Sequence, residues 1–226
     1  MDSLRHQFIE FALASKVLTF GEFKTKAGRL SPYFFNAGLF NRGATLNRLA
    51  RFYALTLLQA KAQGKIEFDM LFGPAYKGIT LASATAVALA ELGTDVPFAF
   101  NRKEAKNHGE GGVIVGSPLK GKVVIVDDVI TDGAAKRESV ELIKAHGATP
   151  VGVLIALDRV ERSGAVGQSL SSQSAVQAFE QEFGIPVISI ATFSDLMQFL
   201  DTDVPLARDA RAYRSAMEEY RATYGA

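Results

Sequence analysis

The chain has 226 residues, of which 48% are hydrophobic and 22% are charged, a composition that suits one α/β domain with a sizeable core. The net charge of +1 predicts no bulk affinity for nucleic acid or anionic membranes, and no apolar run approaches the ~20 residues of a membrane helix. The chain has no cysteine, which excludes disulfides, thiolate metal sites and a cysteine nucleophile. The N-terminus also lacks the apolar core of a signal peptide, so we expect a cytoplasmic protein.

The first 64 residues do not alternate between strands and helices, and they predict a small N-terminal cap. Apolar residues keep helical spacing within Ser3–Ala14 and again from Leu46 to Leu58. Between them, Val17–Phe40 contains short strand-like pieces that glycine and proline interrupt.

Residues 65–204 alternate between strands and helices, which predicts an α/β core. The predicted strands are Phe68–Phe72, Pro97–Asn101, Lys122–Val129, Val151–Leu157 and Val187–Ala191. The predicted helices are Ile79–Leu92, Ala134–His146, Ala175–Phe183 and Ser194–Leu200. We therefore expect a parallel sheet flanked by helices, in a single domain that spans residues 1–226. Arg102–Ser117 lacks periodicity and predicts a mobile loop, and a C-terminal helix at about Leu206–Tyr224 falls within the last segment, 205–226.

The most informative segment is Val123–Ser139, which reads VVIVDDVITDGAAKRES. Its apolar run predicts a buried strand, and the small residues after the two acids predict a turn that opens onto a helix N-terminus. Free backbone N–H groups and a partial positive charge suit such a terminus to phosphate. Asp127 and Asp128 lie just before that turn, where they could hold a sugar diol, so the segment predicts a phosphorylated ribose as ligand. Solvated turn acids and an ordinary helix cap are the alternative.

Two basic segments could supply further anion contacts. The turn Gly73–Gly78 follows a strand and carries Tyr76 and Lys77. An ordinary turn is the alternative, because Gly-Pro is common in turns of any function. Four basic side chains then fall within seven residues and are followed by glycines, as in a lid that brings charge to a leaving group. They are Arg102, Lys103, Lys106 and His108. A solvated basic loop is the alternative for this group.

Four residues elsewhere could contact a planar anionic ligand. Lys26, Phe34 and Phe35 lie in the predicted cap, where the two phenylalanines could flank a ring or simply belong to the core. Arg159 follows a strand and could hold a carboxylate bidentately, or it could be a surface arginine in the charged run 158–162.

The segment VVIVDDVITDGAA resembles the 5-phosphoribosyl-1-diphosphate (PRPP) motif of type I phosphoribosyltransferases. The segments SPYFFN, LFGPAYKGI, FNRKEAKNHGEGG and LIALDRVER resemble one branch of that family, the orotate phosphoribosyltransferases, and the similarity extends from residue 7 to about residue 200. The resemblance implies the α/β fold described above with an N-terminal hood. It also implies a homodimer in which the basic loop reaches the partner subunit's site.

The resemblance further implies a reaction, in which orotate N1 displaces diphosphate from PRPP, with Mg²⁺ held mainly by the ligand and water rather than by the protein. The implied PRPP contacts are Lys26, Tyr76, Lys77, Arg102, Lys103, Lys106, His108, Asp127, Asp128, Val129, Ile130, Thr131, Asp132, Gly133, Ala134 and Ala135. The implied orotate contacts are Lys26, Phe34, Phe35, Thr131 and Arg159. The implied catalytic residues are Lys103, Lys106, His108, Asp127 and Asp128.

The chain departs from the family at the phosphate turn, which the family usually writes ITAGTA and this chain writes ITDGAA. If they face the phosphate, the Asp132 carboxylate and the missing hydroxyl at Ala134 would both weaken its binding. Two other functions stay open from the sequence. A purine or uracil phosphoribosyltransferase would have no use for an arginine that holds a carboxylate. A non-catalytic PRPP-binding regulator would have no use for the cations of the loop.

Overall fold

The computed structural model describes residues 3–25, 27–106, 112–131, 133–164 and 169–226, with the side chains of Ala105 and Lys106 excepted. The described strands are β1 Leu18–Lys24, β2 Leu30–Phe35, β3 Met70–Gly73, β4 Phe98–Lys106, β5 Gly112–Gly116, β6 Lys122–Val126, β7 Thr149–Asp158 and β8 Val187–Thr192. The described α-helices are α1 Ser3–Ala14, α2 Gly43–Ala62, α3 Lys77–Glu91, α4 Ala134–Ala145, α5 Ala175–Phe183, α6 Phe193–Leu200, α7 Pro205–Ala210 and α8 Arg214–Tyr224.

Six strands form the central sheet in the order β5-β4-β3-β6-β7-β8. The five strands from β4 to β8 in that order run parallel, and β5 lies antiparallel to β4 at one edge. Because the carboxyl ends of parallel strands meet at the same edge of a sheet, the loops after β3, β6 and β7 lie side by side. The predicted parallel sheet flanked by helices is therefore confirmed.

The central strands are apolar on both faces because each face supports its own core. Val124 and Val126 of β6 belong to a core that also contains buried residues of α1, α2, α3 and α6. Val123 and Ile125 point to the opposite core, which α4 and α5 cover. This double burial explains why the strand reads as a continuous apolar run in the sequence.

A separate two-stranded antiparallel sheet, β1 with β2, forms the hood. The Tyr33 side chain of β2 is fully buried, and its ring meets the rings of Phe193 and Tyr220 with centroids 5.8 and 6.4 Å apart. Since Tyr220 belongs to α8, the hood packs against the C-terminal helix. Both α1 and α2 belong to the same core as the central sheet.

Two predicted elements differ from those in the structure. The segment predicted as a mobile loop, Arg102–Ser117, contains the end of β4 and all of β5, which pair across Asn101 and Ile114. The predicted C-terminal helix is divided into α7 and α8 by a 3₁₀ turn, in which the Arg211 side chain donates to the carbonyls of Leu200 and Thr202. None of the described helices is long and apolar enough to span a lipid bilayer.

Candidate active site

The acid pair lies at the carboxyl end of β6, at the edge where open α/β sheets bind ligands. Strand β6 ends at Val126, and both Asp127 and Asp128 are only 7% exposed. The Tyr53 hydroxyl of α2 donates to the carbonyl of Asp127 at 2.9 Å, and the amide of Ala156 donates to the carbonyl of Asp128 at 2.9 Å. Helix α2 and strand β7 therefore fix the backbone that carries both acids.

Each acid of the pair has a lysine partner. Lys77, the first residue of α3, places Nζ 2.6 Å from Oδ2 of Asp128. Lys136, in the first turn of α4, places Nζ 2.5 Å from Oδ2 of Asp127 and 2.7 Å from the carbonyl oxygen of Val129. Burial raises the pKa of the Asp127 carboxyl, while the Lys136 ammonium lowers it and the neighbouring Asp128 raises it. The charge on Asp127 thus depends strongly on Lys136.

Lys136 was not among the residues predicted from the sequence. Hydrophobic periodicity predicts that a lysine faces solvent, yet Lys136 is only 6% exposed. Its spacing from Val140 and Ile143, which are buried on the same helix, places it on the core face of α4. That spacing is the signal that could have identified it.

The predicted phosphate segment connects β6 to α4. Ile130 is buried, whereas Thr131, Ala134 and Ala135 are exposed at the N-terminal end of the helix. Gly133 is the N-cap of α4 with φ +75°, a conformation that favours glycine. This arrangement places small, exposed side chains at the N-terminal end of α4, where the partial positive charge of a helix favours an anion. Asp132 lies outside the described residues.

The second predicted anion turn follows β3 and depends on two glycines. A Cβ at Gly73 would lie 2.0 Å from the carbonyl oxygen of Gly78, and a Cβ at Gly78 would lie 2.9 Å from the carbonyl oxygen of Val126. Only glycine permits this close approach of the β3 turn to β6. The turn exposes Tyr76 and orients Lys77 towards the acid pair.

The strand β4 brings basic side chains to the same region. Nζ of Lys103 lies 5.1 Å from the centroid of the Tyr76 ring, and Nη1 of Arg102 donates to the carbonyl of Gly112 at 3.3 Å. The structure thus brings Lys103 to the turn after β3, while Arg102 bridges β4 and β5. The backbone of Lys106 ends β4. The predicted contacts of the Lys106 side chain, and those of His108 and Lys26, lie outside the described residues.

A cavity of about 340 Å³ adjoins the phosphate segment. Its walls come from the hood (Thr25, Ala27, Arg29), from Ile130 and Thr131, and from the end of β7 with the segment that follows it, residues 158–164. Among the described residues that line it, three are arginines and two are acids, with a formal charge of +1: Arg29, Arg159, Arg162, Asp158 and Glu161. Burial raises the pKa of the Asp158 carboxyl, while the hydrogen bond from the Val160 amide lowers it.

Arg159 lines this cavity and is held by several partners. Its Nε donates to Oε1 of Glu161 at 2.8 Å, Nη2 lies 2.7 Å from the same oxygen, and Nη2 also donates to Oγ of Ser31 at 3.2 Å. Its guanidinium carbon lies 4.7 Å from the ring centroid of Tyr33. Burial raises the pKa of the Tyr33 hydroxyl, so the Tyr33 side chain stays neutral. The Nε–Nη2 edge of Arg159, which was predicted to hold a ligand carboxylate bidentately, therefore faces Glu161. Among the described residues Nη1 has no hydrogen-bond partner, so it is the nitrogen left for a ligand.

Arg29 was also not predicted, although it is 4% exposed and lines the cavity. Nη1 lies 3.6 Å from Oε2 of Glu161, and Nη2 donates to the carbonyls of Arg162 and Gly164 at 2.7 and 2.5 Å. Its guanidinium also lies 4.6 Å from the ring centroid of Tyr224. Arg29 therefore joins the hood, the segment after β7 and the C-terminal helix.

The two predicted phenylalanines occupy different environments. Phe35 is 8% exposed and belongs to the core, with its ring centroid 6.3 Å from that of Phe8. Phe34 is 42% exposed and stacks on Phe23 at 5.5 Å. Neither residue lines the cavity, so the structure does not bring them to Arg159, and their contact with a bound ring stays a prediction.

Within the described part of the chain, no three His, Cys, Asp or Glu side chains converge as a metal cluster would. The two acids nearest the phosphate segment, Asp127 and Asp128, already bond lysines. Mg²⁺ commonly takes only one or two carboxylates and completes its shell with waters and substrate phosphates. This donor set therefore fits a magnesium ion that a phosphorylated ligand mainly holds.

Comparisons with known proteins show the family to which the chain belongs. The phosphoribosyl transferase domain family matches residues 43–187. Orotate phosphoribosyltransferase of Herminiimonas arsenicoxydans is 62% identical over 225 residues, which cover 100% of this chain and 99% of the relative. The enzyme of that name from Polynucleobacter asymbioticus is 60% identical over 226 residues, 99% of this chain and 98% of the relative. The crystal structure of orotate phosphoribosyltransferase from Francisella tularensis is 40% identical with a TM-score of 0.81, and it covers 97% of this chain and 100% of that chain.

Proposed function

Because the chain belongs to the orotate phosphoribosyltransferases, within the phosphoribosyl transferase family, we propose that it transfers the 5-phosphoribosyl group of PRPP to N1 of orotate. The products are orotidine 5′-monophosphate and diphosphate, a step of pyrimidine nucleotide synthesis. One observation carries the proposal. The acid pair after β6, the basic turn after β3 and a positively charged cavity meet at the carboxyl edge of one parallel sheet.

The PRPP site extends along the loops after β6 and β3. The segment Val129–Ala135 binds the 5′-phosphate through its backbone N–H groups and the N-terminus of α4. The carboxylates of Asp127 and Asp128 accept hydrogen bonds from the ribose hydroxyls. The diphosphate meets Tyr76 and Lys77 of the β3 turn and the basic residues at the end of β4 and directly after it, here called the β4 loop, which are Arg102, Lys103, Lys106 and His108.

Orotate occupies the cavity beside Thr131. Nη1 of Arg159 donates to the orotate carboxylate, and the surplus positive charge of the cavity favours an anionic base over a neutral one. Lys26 contacts orotate and the neighbouring phosphates, and Phe34 and Phe35 contribute to the hood side of the site.

The chemistry rests on charge rather than on a strong base. Orotate is an anion before it reacts, whereas diphosphate must leave and the ribose passes through an oxocarbenium-like state. Lysines of the β3 turn and the β4 loop stabilise the leaving group, and the two acids favour positive charge on the sugar. Mg²⁺ supplies further charge stabilisation to the departing diphosphate when it is bound. Two subunits share each site through the β4 loop, and the enzyme acts in the cytoplasm.

The proposed function is tested by following ultraviolet absorbance when the protein is mixed with orotate, PRPP and Mg²⁺. Uracil and hypoxanthine replace orotate in parallel reactions. We expect an absorbance change that requires orotate and PRPP together. A change with uracil or hypoxanthine instead would assign the chain to another base. PRPP binding without turnover of any base would indicate a regulator.

A further inference from the structure

Helix α4 buries a lysine next to the acid pair. Lys136 is the one buried lysine of the described residues, with 7% of its side chain exposed. Burying an ammonium costs free energy unless anionic and hydrogen-bonding partners offset the loss of water. The Asp127 carboxylate and the Val129 carbonyl provide those partners at 2.5 and 2.7 Å.

The two partners belong to different parts of the proposed PRPP site. Asp127 belongs to the ribose part, and Val129 begins the segment assigned to the 5′-phosphate. Lys136 itself is held in place by packing, because it lies on the buried face of α4 together with Ser139, Val140 and Ile143. One immobile ammonium therefore sets the position of the ribose part relative to the phosphate part.

We propose that Lys136 is a positioning residue for PRPP, which holds the Asp127 carboxylate in its charged form and fixes the phosphate segment through the Val129 carbonyl. This inference rests on the proposed function, because it takes the loop after β6 as the PRPP site. Lys136 does not touch the reacting atoms. It acts through Asp127 and through the backbone of the loop.

The charged groups around Asp127 define a pH dependence. Lys136 faces it from α4, Asp128 follows it in the chain, Lys77 of α3 is paired with Asp128, and the Tyr53 hydroxyl of α2 bonds its carbonyl. Burial and Asp128 raise the pKa of Asp127, and Lys136 opposes them. An acid loses its charge as the pH falls through its pKa. Without Lys136 the pKa rises further, so the charge on Asp127 is lost at a higher pH.

The experiment compares Lys136→Met, which keeps the length of the side chain, with Lys136→Arg, which keeps its charge. Lys144→Met is the matched control, because Lys144 lies on the same helix with 53% of its side chain exposed. Calorimetry measures the Kd of PRPP and of orotate, and kcat/KM for PRPP is measured against pH. We expect Lys136→Met to weaken PRPP by about 10- to 100-fold, as loss of a charged hydrogen-bond partner does, with little change for orotate. The acid limb of the pH profile should move to higher pH, and Lys136→Arg should restore most of both properties.

A double-mutant cycle keeps the inference testable if Lys136→Met folds poorly. The pair Asp127→Asn with Lys136→Met contains no unpaired buried charge, so it should fold better than Lys136→Met alone. If Lys136 acts through Asp127, adding Lys136→Met to Asp127→Asn should cost much less PRPP affinity than it costs in the unmodified protein.

Additive losses in that cycle would overturn the inference, and so would an unchanged PRPP Kd and pH profile in a folded Lys136→Met protein. Equal weakening of orotate and PRPP would also overturn it, because that result indicates a general structural defect. Failure of the proposed function looks different, since the unmodified protein would then not bind PRPP or convert orotate at all.

Discussion

The strongest test of the base site is the replacement Arg159→Ala. Two nitrogens of the Arg159 guanidinium bond protein oxygens: Nε donates to Glu161, and Nη2 donates to Ser31 and lies within ion-pair distance of Glu161. The Nη1 donors remain for the orotate carboxylate. A hydrogen bond to a charged group contributes about 1.5–3 kcal/mol, which corresponds to roughly a 10- to 150-fold change in Kd.

Arg159→Ala should therefore weaken orotate by that factor and change PRPP little, because the residue faces the cavity rather than the acid pair. Arg159→Lys should recover only part of the affinity, since an ammonium keeps the charge but not the planar donor set. Calorimetric titrations of each ligand below the unfolding temperature measure both effects. Uracil, which lacks the carboxylate, should lose almost nothing in either variant.

Arg208→Ala is the control, because Arg208 is an exposed arginine of α7 that does not line the cavity. The replacement at position 159 also removes a partner of Glu161, so thermal unfolding must be recorded for every variant. Equal losses for orotate and PRPP would refute the assignment. An orotate Kd that stays unchanged would refute it as well.

Three further predictions address the phosphate turn, the end of β4 and the C-terminus. If Asp132 faces the phosphate, Asp132→Ala should tighten PRPP binding in calorimetric titrations. Ala134→Thr should tighten PRPP binding further by adding a hydroxyl donor. An unchanged PRPP Kd in both variants would mean that backbone N–H groups suffice. Lys106→Ala should lower turnover by about 10²–10³. Mixing that variant with an inactive Asp128→Ala variant should restore activity as subunits exchange, and hybrid dimers that stay inactive would refute shared sites. Tyr224→Ala should raise the KM for orotate more than the KM for PRPP, because Tyr224 stacks on a cavity arginine; an equal rise would contradict this link.

The sequence predicted the sheet and the acid pair because both leave a local signal. The strand Lys122–Val126 is buried on two faces, so its apolar run is continuous, and the acids follow it directly. Charge-rich β4 beyond Asn101 leaves no such signal. The part of β4 beyond Asn101 pairs with β5 at the edge of the sheet. Neither strand needs an apolar pattern there, because an edge can carry charged side chains. The lack of periodicity in Arg102–Ser117 therefore predicts a loop where the structure has paired strands.

Buried charges escaped prediction for a different reason. The burial of Arg29 is compensated by Glu161, Arg162 and Gly164, which lie more than a hundred residues away in the sequence. The C-terminal residues complete the same contacts, because the amide of Ala226 donates to the carbonyl of Val160 at 3.0 Å. No local pattern encodes such partners. The cavity wall could therefore be predicted at Arg159 and Thr131 but not at Arg29.

The two lysines beside the acid pair differ in exposure, and on the proposed function this difference reconciles an acidic pair with a polyanionic ligand. A bare carboxylate ~6 Å from a phosphate would cost roughly 3 kcal/mol for each pair of unit charges at an effective dielectric constant of ~20. Lys77 exposes 53% of its side chain, so on the proposed function it can exchange Asp128 for the diphosphate and release that acid to a ribose hydroxyl. Lys136 exposes only 7% and cannot follow the ligand. On the proposed function, Asp127 therefore stays compensated with or without PRPP, and the site does not present two unpaired carboxylates to the incoming phosphates.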